Sequence, residues 1–154
     1  MLFAAIAVPL LVAYYFPYAS DSWVHKLLEK YLRGYAAAAG TMLRVFEPNI
    51  RVNGQDILGR YSMRIVKTCD GMDVNILFAS AVLAWPTGFR QRLVAVATGL
   101  TLLSVMNVLR ICTLYCVGVY APTSFELVHI ELWPIAILAA AAGSFMAFTR
   151  YARP

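Results

Sequence analysis

Apolar residues in this chain gather in long charge-free runs separated by short clusters of basic and acidic positions, the pattern of helices that cross a bilayer. The first run, Leu2 to Phe16, with Tyr14, Tyr15 and Tyr18 as interfacial anchors, predicts a span over 1–18. A cleaved signal peptide is the alternative, but no basic n-region and no small-x-small site precede Asp21. Next, Lys26, Lys30, Arg33 and Arg44 fall on one stripe of a 3.6-residue helix, and only ten uncharged residues separate Arg33 from Arg44. This predicts an amphipathic interfacial helix over 22–46, with Trp23, Leu27, Leu28 and Tyr31 toward lipid; a second crossing is the alternative. Residues 48–68 turn polar. Asn53-Gly54 is a hairpin-turn signal, and Tyr61, Met63 and Ile65 alternate with Ser62, Arg64 and Val66, so a small β-hairpin outside the bilayer is expected.

Three further runs predict spans over 73–89, 93–120 and 132–149. Arg90-Gln91-Arg92 would form a tight turn, and Pro122 with Trp133-Pro134 would bracket the last loop. The expected fold is an all-α integral membrane protein, one domain over 1–154, with about four transmembrane helices, the interfacial helix and an extracytoplasmic β-hairpin.

Composition sharpens this picture. Of 154 residues, 61% are hydrophobic and 14% charged, with a mean hydropathy of +0.68. Soluble domains run at about 45–50% apolar and about 25% charged, so a soluble protein is excluded. The net charge of +5 points to anionic membrane lipids as partners and not to nucleic acid. Three cysteines, two of them inside an apolar run, give no disulfide framework. The positive-inside count is balanced: Arg90, Arg92, Arg150 and Arg153 lie on one side and Arg51, Arg60, Arg64 and Lys67 on the other. The short Arg90 turn is placed in the cytoplasm, which puts Cys69 and His129 outside.

The candidate chemistry follows from these placements. Arg110 lies inside an apolar helix, where an arginine costs at least roughly 2.5–3.5 kcal/mol at the bilayer centre and therefore needs a partner or a polar cavity. It stands 17 positions past Leu93, about 25 Å along a helix, near the far boundary of the hydrocarbon core. Asn107 shares its face and can orient it. Cys69, in Thr68-Cys69-Asp70-Gly71, stands just before a span, with Gly71 permitting a tight turn. His129 lies in the loop before the last span, on the same side as Cys69 because two crossings separate them. Together the three permit acyl transfer by a thiolate, with the histidine moving the proton and the fixed cation meeting the oxyanion. No metal or cofactor is needed. Cys112 and Cys116 share a helix face without an acid or histidine nearby and read as packing residues. The competing reading is a structural cysteine, a solvated histidine and an arginine bound to a lipid phosphate in a non-enzymatic membrane subunit.

At these residues the chain resembles the exosortase/archaeosortase family. The resemblance rests on Cys69-Asp70-Gly71 before a span, Trp85-Pro86 with Phe89-Arg90-Gln91-Arg92-Leu93, Asn107-Val108-Leu109-Arg110-Ile111, and Phe125-Glu126-Leu127-Val128-His129, and covers roughly 69–150. It implies a compact membrane-embedded cysteine transpeptidase or protease of the prokaryotic cytoplasmic membrane, acting on its extracytoplasmic face. Its substrate proteins would carry a C-terminal signal motif, a transmembrane helix and a basic end. Carried over, Cys69 is the nucleophile, Arg110 the transition-state arginine and His129 the general acid/base, with Asn107 supporting. Asp70 departs from the small or amide residue expected there. Arg64, Lys67 and Glu126 are the candidate substrate contacts, the basic hairpin bordering the groove for the signal and pairing with an acid in it. The rival reading of that cluster is a solvated strand face or attraction to anionic headgroups.

Overall fold

The computed structural model describes residues 1–16, 18 and 22–152, with the backbone alone at Thr68; Asp21 and Arg153 lie outside the described residues. Among the described residues five α-helices dominate: α1 (Leu2–Tyr15), α2 (Trp23–Leu43), α3 (Met72–Ala84), α4 (Phe89–Tyr120) and α5 (Trp133–Tyr151). A small sheet of β1 (Arg51–Asn53), β2 (Asp56–Leu58) and β3 (Met63–Arg64) lies between α2 and α3 in sequence. The chain divides into two compact units: Met1–Phe16, Gly71–Val105 and Ile135–Pro154 form one, and Pro17–Asp70 and Met106–Pro134 the other.

In the first unit α1 packs on α3. Both are apolar but short, 14 and 13 residues, so at 1.5 Å per residue they reach only about 20 Å, against a hydrocarbon core of about 30 Å. Among the described residues two helical stretches, Phe89–Tyr120 and Pro122–Tyr151, are long and apolar enough to cross. Of the four spans expected, these two therefore reach crossing length. The shortening of α3 has a local cause. Trp85 precedes Pro86, whose ring disfavours helical backbone at the residue before it, and Trp85 is extended at φ −74°, ψ 134°. The chain accordingly reverses before Phe89. Arg90, Gln91 and Arg92, expected to make the turn themselves, lie in the first turn of α4.

The second unit is built on amphipathic α2. Ser22 caps it, its Oγ accepting from Val24 N–H at 3.3 Å. The face Leu32, Tyr35, Ala36, Ala39, Leu43 is buried, at helical spacing, against Ile50, Ile57, Ile65, Ile111 and Tyr115, while Trp23 and Leu27 stay exposed. Three antiparallel strands in the order β1-β2-β3 extend the expected hairpin by one strand. Asn53 pairs with Asp56, so the two-residue loop is Gly54-Gln55, one residue beyond the Asn-Gly step. Gly54 has φ +62° and, among the described residues, no non-glycine residue has positive φ, which fits a type II′ turn with glycine first. The alternation after Tyr61 is as expected: Tyr61, Met63 and Ile65 face inward and Ser62, Arg64 and Val66 outward.

Burial separates neighbouring strand positions sharply, with Ile57 0% and Leu58 41% exposed. Ile57→Ala should therefore destabilise the protein by about 2–5 kcal/mol through the cavity it leaves. Leu58→Ala should cost well under half of that. Thermal unfolding in mild detergent distinguishes the two, and equal losses would show that the sheet does not pack as described.

Candidate active site

Cys69 closes a 3₁₀ turn, Lys67–Cys69, its N–H donating to Val66 O at 2.8 Å. Gly71 follows at φ +67°, a left-handed conformation that glycine adopts without steric cost, and α3 starts directly after it. Between them Asp70 is buried, and its carbonyl accepts from Asn107 Nδ2 at 2.9 Å. Asn107 was expected to orient Arg110. It holds the backbone next to Cys69 instead.

The sulfur of Cys69 lies 3.4 Å from Nε2 of His129, within hydrogen-bonding reach. His129 was expected in a loop. It sits in a π-helical segment, Leu127–Leu132, that runs into α5. Such wide turns recur at functional sites because they displace one side chain from the regular helical course. The ring is steadied by an aromatic file: His129 against Phe125 at 5.6 Å, Phe125 against Tyr61 at 5.8 Å, and Tyr61 against Tyr115 at 6.3 Å.

Arg110 joins this pair. It lines the same cavity of about 350 Å³ as Cys69 and His129, together with the Tyr61–Val66 stretch, Ile111, Leu114 and Phe125. It is 7% exposed, and among the described residues its Nε has no hydrogen-bond partner; nor has Asn107 Oδ1. A buried cation left without a carboxylate is costly, and the cavity it faces holds a thiol and an imidazole. The three groups chosen from sequence therefore meet in one cavity. What that cavity can do is stabilise negative charge, on a thiolate or on an oxyanion, beside a base that moves a proton. Among the described residues no cluster of metal-ligating side chains occurs.

The expected substrate contacts fare differently. Arg64 lines the cavity, but its guanidinium is bound in a two-pronged ion pair to Asp56, Nε to Oδ1 at 2.6 Å and Nη2 to Oδ2 at 2.9 Å. The hydrogen bond from Arg64 holds the Asp56 carboxyl below the usual carboxylate range. A carboxylate whose folded pKa is depressed keeps its partner until the pH falls through that lowered value, so the pair is intact from neutral pH well into the acid range. Lys67 is half-buried in the turn two residues before Cys69. Glu126 is exposed and is not among the cavity-lining residues.

Sequence reasoning did not assign roles to Tyr61, Phe125 or Glu47. The i, i+4 spacing of Phe125 and His129 was a readable signal for the first contact of the aromatic file. Glu47 ties the sheet loop to α4, accepting from Tyr115 Oη at 2.7 Å and from Arg60 N–H at 3.0 Å. No spacing rule connects such distant positions. Cys112 is buried and donates toward Ala39 O at 3.7 Å, as a packing residue does, and Cys116 is a free, half-buried thiol.

No curated protein and no solved structure matches the chain significantly. The family model described as Transmembrane exosortase matches residues 1–146, well beyond the stretch that carried the resemblance in sequence. With a match over nearly the whole chain, this membrane protein belongs to the transmembrane exosortase family.

Proposed function

We propose that the chain is a thiol transpeptidase or protease that cleaves C-terminal sorting signals of membrane-anchored substrate proteins, with its site on the extracytoplasmic face of a prokaryotic cytoplasmic membrane. The observation that carries this reading is the 3.4 Å approach of Cys69 Sγ to His129 Nε2 in a cavity shared with Arg110. The thiol gives its proton to the imidazole, and the thiolate attacks the scissile carbonyl. A C–S bond forms and the carbonyl oxygen becomes an oxyanion opposite Arg110. As the oxyanion collapses the C–N bond breaks, and His129 delivers its proton to the leaving amine. An acceptor amine, or water, then loses a proton to His129 and attacks the thioester, and the thiolate leaves. Asn107 acts as a positioning residue, through the Asp70 carbonyl beside the nucleophile.

Substrate entry follows from the sheet. β3 is an edge strand, and the stretch that continues it, Tyr61 to Val66, lines the cavity. Met63 and Arg64 pair with Ile57 and Asp56 on one side, and among the described residues no strand pairs with the other, which supports addition of an extended signal peptide there. In this reading the basic hairpin reads an acid in the signal, which must compete with Asp56 for the fork of Arg64.

Cys69→Ala should abolish processing. Arg110→Lys should lower it by about 10²–10³, because a point ammonium does not reproduce the planar fork at a developing oxyanion. Cys112→Ser and Cys116→Ser should remain active, and iodoacetamide should label Cys69 much faster than either. Uniformly slow labelling of all three thiols, with an unaltered Arg110→Lys, would make the chain a non-enzymatic subunit.

A second outcome concerns signal reading. Charge reversal at Arg64 should weaken processing of an acidic signal, and an acid-to-base swap in the substrate should restore part of it. Asp56→Asn, which releases the fork, should raise processing of the acidic signal only. Indifference of all three to signal charge would leave the hairpin a purely structural role.

A further inference from the structure

Within the first unit, and lined by none of the residues assigned to catalysis, lies a larger cavity of about 590 Å³. One wall is a single face of α4 at steps of four residues, Arg90, Val94, Thr98 and Leu102; another is the Ala147 and Phe148 face of α5. The wall is apolar and open, with Val94 57% and Leu102 45% exposed. On the α4 wall the hydroxyl of Thr98 is turned back to its own helix, Oγ1 donating to Val94 O at 2.8 Å; Gln91, Ser144 and Tyr151 are the other polar lining residues. The only charged lining residue is Arg90, at one end, which is exposed and forms no ion pair among the described residues.

We propose that this groove binds one anionic phospholipid, with the phosphate on Arg90 and one acyl chain along α4 toward Leu102. Two features select this occupant. The first is charge: a cation at one end of an otherwise uncharged groove complements a headgroup phosphate. The second is length. The twelve residues from Arg90 to Leu102 span about 18 Å of helix, and one leaflet of a hydrocarbon core about 30 Å thick is about 15 Å deep. A tail anchored at Arg90 therefore runs the groove and ends near the bilayer midplane. The site is independent of the proposed chemistry and stands whether or not Cys69 is a nucleophile.

The test is native mass spectrometry of the full chain released from nanodiscs of equal parts phosphatidylglycerol and phosphatidylcholine. One phosphatidylglycerol should be retained in preference to phosphatidylcholine by about five-fold, the ratio that corresponds to about 1 kcal/mol for one basic residue at a charged surface. Arg90→Gln should bring the preference to parity. Thr98→Phe and Ala147→Phe, which fill the groove, should lose the retained lipid of either kind, with unchanged Cys69 alkylation reporting an intact fold. Equal retention of both lipids by the unaltered chain would overturn the proposal, as would a preference that survives Arg90→Gln. A dimer abolished by Thr98→Phe would assign the groove to a second copy. Displacement of the lipid by an added single-span peptide with a basic end, insensitive to Arg90→Gln, would assign it to a helix.

Discussion

The hydrogen bond from Asn107 Nδ2 to the carbonyl of Asp70 fixes the piece of chain on which the site depends. Cys69 ends a 3₁₀ turn, Asp70 follows, and Gly71 reverses the backbone into α3. A short connection of this kind has few internal hydrogen bonds to define it, and the bond to α4 ties it to the helix that also carries Arg110. Asn107 and Arg110 lie three residues apart, so both project from one face. The sulfur's position is thus set by the same helix that supplies the cation.

Much of this was legible in sequence because it rests on parity and period. Cys69 and His129 were expected to share a side, and the two side chains are 3.4 Å apart, although α3, one of the two crossings behind that expectation, falls short of crossing length. A lone arginine in an apolar run required a polar cavity, and Arg110 lines one. Alternation after Tyr61 gave the inward and outward faces of the third strand correctly. What was not legible depends on backbone geometry without a periodic signature. The π-helical segment that carries His129 is invisible to a hydropathy pattern, because widening one turn leaves the composition unchanged. The turn was expected at Arg90-Gln91-Arg92, which begins α4 instead; the chain leaves α3 at Trp85-Pro86. Span lengths were overread in α1 and α3, since an apolar run measures what lipid tolerates and not where the helix stops.

The pairing of Arg64 with Asp56 shows how a sequence count of free cations misleads. Four basic residues precede Cys69, yet one of them is committed within the sheet, and Arg60 lies over the ring of Tyr120 at 5.5 Å while its backbone binds Glu47. Such exposed pairs contribute little to stability. Their effect is on geometry: Asp56 holds the fork of Arg64, which lines the cavity, so that recognition proposed there is a competition between carboxylates and not a simple attraction of opposite charge.

The central claim is a covalent one, that Cys69 carries the acyl group of a cleaved substrate. It is tested most directly by rapidly acid-quenching membranes in which the chain and a membrane-anchored substrate are turning over, digesting them, and weighing the peptide that contains Cys69. The account predicts a substrate-derived adduct on that sulfur, removed by neutral hydroxylamine as a thioester is. Substrate cleavage accompanied by an adduct on Cys116, or by an unmodified Cys69 under conditions that trap thioesters, would contradict it.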